Sequence, residues 1–118
     1  VAIELDEFTI TADSAEVAAG LVHFDVRNVG EEPHELVIVR GVAPDDLPLD
    51  EDGGLDEAGL PEGALIGEVE PFPGGESCDG TFELAAGAYT LVCNITEVEE
   101  GEPESHLHEG MVTTLTVT

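Results

Sequence analysis

Lysine and tryptophan are absent from this chain, and Arg27 and Arg40 are the only arginines. Against these two cations stand 28 aspartates and glutamates, giving a formal net charge of −26. A surface so negative repels the phosphates of nucleic acid and the head groups of an anionic membrane, so neither is expected as a direct partner. It admits a metal ion, a cationic ligand or a basic protein. It also suits a high-salt setting, where screening within ~10 Å makes self-repulsion tolerable. Salt adaptation and a basic partner both remain open on composition alone.

No stretch approaches the ~20 apolar residues that a membrane-crossing helix requires, so no direct membrane insertion is expected. Any export leader or lipid anchor is expected outside this sequence. The two cysteines, Cys78 and Cys93, allow one disulfide or two separate thiols and leave the redox compartment open. Amphipathic helical periods of ten residues or more are missing, as are internal repeats and any shift in composition that would mark a second domain.

What remains is short and alternating. In Leu21-Val22-His23-Phe24-Asp25-Val26-Arg27, Val22, Phe24 and Val26 share one face while His23, Asp25 and Arg27 share the other. Asn28-Val29-Gly30 then supplies a turn. Leu36 to Val39 is apolar throughout and reads as a strand covered on both sides. Phe82 to Leu84 and Tyr89 to Cys93 flank Ala85-Ala86-Gly87-Ala88, which reads as a hairpin. In that register Cys78 lies near the level of Ile95, which brings a disulfide with Cys93 within reach when the metal-free protein is oxidised; a Cys78 thiol that stays free of the metal is the preferred reading. Met111 to Thr118 closes the chain as a last strand. Seven to eight short strands separated by turns predict one all-β domain over residues 1–118, a Greek-key sandwich or barrel. The Asp-, Glu-, Gly- and Pro-rich region from Gly41 to Gly75 is expected to be a long acidic surface excursion carrying one strand near Ala64 to Val69.

Three strand ends carry side chains with metal chemistry. His34 stands in Asn-Val-Gly-Glu-Glu-Pro-His-Glu-Leu-Val-Ile-Val, before the apolar strand. Cys93 ends Ala-Tyr-Thr-Leu-Val-Cys. His106 and Met111 stand in His-Leu-His-Glu-Gly-Met, before the final strand. A thiolate and two imidazoles in a near-trigonal set, with a weak axial thioether, are the ligands of copper sites that shuttle one electron. For the second imidazole His106 and His108 are both candidates. His106 matches a His-x-x-x-Gly-Met spacing and is preferred, with His108 facing solvent or supporting the site from behind.

The Asn-x-Gly turn followed by Pro-His, the Gly-x-Tyr-x-x-x-Cys strand and the closing His-x-x-x-Gly-Met resemble, in that order, the ligand segments of the cupredoxins, the blue copper proteins of plastocyanin, halocyanin and pseudoazurin type. The matched segments span residues 22–40 and 71–118. The resemblance implies an eight-stranded sandwich with one type 1 copper, ligated by His34, Cys93, His106 and Met111. It implies electron transfer between redox partner proteins, by an exported monomer that is not an enzyme. His106 would present its ring edge near the surface, Leu107 would join a small docking patch, and the acidic surface would steer a partner with a basic docking face. Three features depart from the family pattern: the long interval between Cys93 and His106, Glu35 where many relatives have Asn, and Cys78.

Other readings are weighed on the same residues. A Cu(I) carrier or storage module would use the same ligands without turning over electrons, and a metal-free structural sandwich would use none. A hydrolase lacks a nucleophile with base and orienting acid in motif context. A dinuclear copper site needs a second cysteine in the ligand loop. Asp50 to Asp56 lacks the spacing of a calcium loop and reads as solvated, as do Glu97, Glu99, Glu100, Glu102 and Glu104. His23 reads as a surface residue.

Overall fold

A computed structural model describes residues 1–118, the side chain of Glu99 excepted. The chain is built from strands: β1 (Ala2–Asp6), β2 (Thr9–Ala12), β3 (Glu16–Val17), β4 (Gly20–Asn28), β5 (His34–Arg40), β6 (Leu65–Phe72), β7 (Ser77–Leu84), β8 (Gly87–Val92), β9 (Thr96–Glu99), β10 (Glu102–Ser105) and β11 (Val112–Val117). They form a four-stranded sheet in the order β2-β1-β4-β7, a five-stranded sheet in the order β3-β11-β8-β5-β6, and a separate β9–β10 ribbon. The outer strands β6 and β7 carry glutamates and an aspartate, charges that discourage edge-to-edge pairing with other chains. No helix is long and apolar enough to cross a membrane among the described residues.

The alternation in β4 works as its sequence predicts. Val22, Phe24 and Val26 are buried while His23, Asp25 and Arg27 face water, where His23 pairs with Asp79 at 3.4 Å. Val22, Phe24 and Val26 meet Ile3, Leu5, Leu36, Ile38, Leu91 and Leu115 in the core between the sheets.

The strand β5 is covered on both faces, for a reason its own sequence only hints at. Leu36 and Ile38 enter the central core, whereas Val37 and Val39 point outward into a second cluster with Val92, Leu47, Leu55, Ala64 and Leu107. The Gly41–Gly75 region is therefore not a pure surface excursion. Its acidic residues face water, but Leu47, Leu55 and Ala64 roof the outer face of the five-stranded sheet. Fully burying a side chain such as Val or Leu contributes roughly 1.5–3 kcal/mol, enough to hold an otherwise polar loop down.

The expected hairpin around Ala85 to Ala88 is not one. β7 pairs with β4, and β8 pairs with β5 and β11 in the opposite sheet. The segment is a corner between the sheets, fixed by the Tyr89 hydroxyl donating to the Ala85 carbonyl at 2.7 Å. A tyrosine returning its hydroxyl to the backbone a few residues upstream is the device by which Greek-key sandwiches turn such corners. The register follows: Cys78 lies opposite Val26 rather than beside the end of β8, and both cysteines are free thiols. Alternation cannot tell a hairpin from a corner, because both join two strands through a short polar or small-residue turn.

Candidate metal centre

Each proposed ligand is delivered by a different device. The Asn28-Val29-Gly30 turn ends β4 through the buried Asn28 side chain. Its Nδ2 donates to the carbonyls of Glu32 (2.9 Å) and Phe72 (3.0 Å), and its Oδ1 accepts the Gly30 N–H (3.0 Å). A Cβ at Gly30 would meet the Glu7 carboxylate. That carboxylate accepts N–H bonds from Glu31 and Glu32, both at 2.6 Å. The loop so tied brings His34 to the first position of β5. Cys93 follows directly on β8, its N–H bonded to the Met111 carbonyl at 3.2 Å. In the closing loop the N–H of Met111 bonds the His106 carbonyl at 3.1 Å, and Gly110 takes φ +113, a left-handed conformation that glycine adopts without a Cβ penalty.

These devices converge. His34, Cys93 and His106 are wholly buried and bring their donor atoms together. The two Nδ1 atoms lie 3.2 Å apart, and the Cys93 Sγ lies 3.5 Å from Nδ1 of His106 and 3.9 Å from Nδ1 of His34. The circle through the three atoms has a radius of about 2.1 Å, and nitrogen and sulfur donors bind first-row metals at ~2.0–2.3 Å. The donor set and its spacing fit a mononuclear copper of type 1. Met111 is buried in the central core, in the same apolar cluster as Cys93. His108 is exposed and lies over Gly53 of the acidic loop, away from the cluster.

Burial governs the electrostatics of the cluster. Burial pushes the Cys93 thiol up to about 12, even though its sulfur accepts the Glu35 N–H at 3.5 Å. Burial, and after it the neighbouring His106, lowers His34. Cys93 must therefore give up its proton to serve as a thiolate ligand, and metal uptake at this site releases protons. Glu35 occupies the position where many of the resembled proteins carry Asn. Its Oε1 accepts the Asn94 N–H at 3.2 Å, tying the residue after one ligand to the residue after another. Burial, with Glu68 adding repulsion, raises Glu35 to about 7.

Two expectations about the exit side of the site are corrected. His106 has no exposed edge, since Phe8 packs against it with ring centroids 5.2 Å apart and the β9–β10 ribbon lies alongside. Leu107 is 9% exposed and belongs to the second core rather than to a docking patch. The ribbon turns through Glu100 (φ 52) and Gly101 (φ 81), the positive-φ pair of a two-residue hairpin. It thereby places Glu97 and Glu104 near His106, where sequence reading left them as solvated acids. Glu99 of the same run has a side chain outside the described residues. Partial burial works against ionisation of Glu7, but the N–H of Glu32 and then the neighbouring donors bring it down to about 2. Contact with Glu97, and then burial, raises Glu32 to about 6.

No family model matches the sequence, and no curated protein does either. Solved structures do. An auracyanin, reduced with dithionite, from the photosynthetic bacterium Roseiflexus castenholzii is similar with a TM-score of 0.66 and 22% identity, over 99% of this chain and 94% of its own. Auracyanin A, a "blue" copper protein from the green thermophilic photosynthetic bacterium Chloroflexus aurantiacus, gives 0.61 and 23%, over 100% of this chain and 98% of its own. An azurin from the obligate methylotroph Methylomonas sp. strain J gives 0.62 and 14%, over 100% and 96%. The β-sandwich of this chain is the cupredoxin fold.

Proposed function

We propose that this protein is a mononuclear type 1 copper protein that carries single electrons between redox partner proteins. His34, Cys93 and His106 would form the trigonal set and Met111 the axial contact. The observation that carries the reading is the convergence of two buried Nδ1 atoms and one buried Sγ on a circle of metal–ligand radius. When bound, copper supplies a one-electron couple between Cu(II) and Cu(I) and a covalent bond to the thiolate. The chain's own contribution is rigidity. His34 begins a strand buried on both faces, Cys93 is held by Met111 and Glu35, and His106 by Ile95 and Phe8. A ligand set so constrained reorganises little when the metal changes charge.

The fold points to a protein working outside the cytoplasm, and the net charge of −26 to partners with a basic docking face. Titration of the copper-free protein with Cu(II) tests the function. One equivalent should produce an intense visible thiolate-to-copper band and a reversible reduction. Cys93→Ser should abolish the band while leaving the circular dichroism of a β protein. A wild-type protein that binds no Cu(II), or binds it without the band, would refute the type 1 assignment.

The full burial of His106 favours a second reading, a Cu(I) carrier that holds its metal without exchanging electrons. Electron self-exchange measured on the coloured protein separates the two, since a carrier would show the band but exchange slowly.

A further inference from the structure

The imidazole of His106 has two edges, and only one faces Cys93. Its Nε2 is buried with no hydrogen-bond partner. It points at Glu32 Oε2 (3.9 Å) and Glu97 Oε2 (3.8 Å), carboxylates that are themselves about one-quarter exposed. With Glu104 these groups offer one nitrogen and three oxygens, all within 4.8 Å of one another. They come from three separate places in the chain: the loop before β5, the two strands of the ribbon, and the loop after it. A buried nitrogen left unsatisfied is costly, and here it is aimed into a group of carboxylates that would otherwise repel one another.

We propose that Glu32, Glu97, Glu104 and Nε2 of His106 form a second, outer site for a divalent cation of the harder first-row kind, such as Mn(II). Carboxylate oxygens prefer such ions, whereas the thiolate of Cys93 selects softer ones, so the two sites differ in what they accept. They also share a ligand. A neutral imidazole has one lone pair and one N–H. In the copper-free protein the proton on Nδ1 of His106 can be donated to Nδ1 of His34, 3.2 Å away, leaving the Nε2 lone pair for the outer cation. Were the Nδ1 lone pair of His106 given to copper, the proton would move to Nε2. The outer site is therefore strong in the copper-free chain and weak in the loaded one. This antagonism, though not the outer site itself, rests on the copper reading.

The test is titration of copper-free protein with Mn(II), following loss of the free-ion paramagnetic resonance signal. Wild type should bind one Mn(II) per chain. Glu32→Gln/Glu97→Gln/Glu104→Gln should bind it at least tenfold more weakly, and Glu97→Gln alone should show a smaller loss should the triple variant misfold. A control with the same net charge, Glu51→Gln/Glu62→Gln/Glu70→Gln, should behave as wild type. Loading wild type with Cu(I), which is diamagnetic, should weaken Mn(II) binding at least tenfold. Equal Mn(II) binding by the triple variant and the control would overturn the outer site and leave only a diffuse acidic surface. Mn(II) binding that is lost in the triple variant yet indifferent to Cu(I) would overturn the shared imidazole. Failure of the visible band with Cu(II) would count against the copper reading instead, and the comparison of the variants would still decide the outer site.

Discussion

Glu35 shows how much one side chain can carry that neighbouring residues do not reveal. In the sequence it stands only as a departure from the family's Asn. In the structure it is 7% exposed and bonded to the Asn94 N–H. A carboxyl whose native pKa is raised from its ordinary 4.5 to about 7 stabilises the fold while protonated. As pH rises the unfolded chain ionises first, so this contribution is present in full below about 4.5 and is lost through about 7. Glu35→Gln keeps an oxygen acceptor for Asn94 and removes the charge. The copper-free variant should therefore be the more stable by roughly 1–3 kcal/mol at pH 8, with the difference closing below pH ~5. Thermal melts of both proteins across that range check this, and parallel curves would show that Glu35 does not titrate upon unfolding. The cluster of proposed ligands was legible in the sequence because a Pro-His, a strand-end Cys and a His-x-x-x-Gly-Met are local patterns. Glu7, Glu32 and Glu97 were not, because each reaches the site from a separate segment, and in so acidic a chain no single glutamate stands out.

At the scale of elements, the sequence shows which segments are strands more clearly than which strands are neighbours. The alternation of β4 and the unbroken apolar run of β5 fix their faces, as found. The corner at Ala85 to Ala88 was misread because strand pairing is decided by the two-layer core, remote from the turn, and by the Tyr89 hydroxyl bond to Ala85, which an alternation pattern does not reveal. The long acidic loop and its strand lie where expected, but its roofing of the sheet was not legible: three apolar residues among many acids look incidental until Val37 and Val39 are seen to need cover. Asn94 couples that loop to the candidate metal centre. Its side chain accepts the Leu55 N–H at 2.8 Å and donates to the Leu55 carbonyl at 3.1 Å and to Glu57 at 3.0 Å, while its N–H holds Glu35. Asn94→Ala leaves the Leu55 amide without its partner and should cost about 1–3 kcal/mol. Hydrogen exchange should quicken at Leu55 ahead of β4. Unchanged protection at Leu55 would mean that Leu47 and Leu55 anchor the loop unaided.

For the whole molecule, charge is the dominant fact. With a net charge of −26 and two arginines, the folded chain concentrates repulsion that unfolding relieves. Its melting temperature should climb between dilute buffer and ~1 M salt as the screening length falls towards ~3 Å. A flat response would point to an acidity kept for a basic partner, and association with a polycation at low salt would then be the measurement to make. The roof formed by Leu47, Leu55 and Ala64 acquires another meaning against this background. Repulsion keeps copies of the chain apart in dilute buffer, but salt that stabilises the fold also removes that protection. A chain with residues 44–63 replaced by a short linker would bare Val37, Val39 and Val92 on a flat sheet face, and such faces invite self-association. It should remain dispersed at low salt and aggregate at high salt, whereas the intact chain stays monomeric in light scattering under both conditions. The acidic loop is in this sense a colloidal safeguard, and it works where the charges around it no longer can.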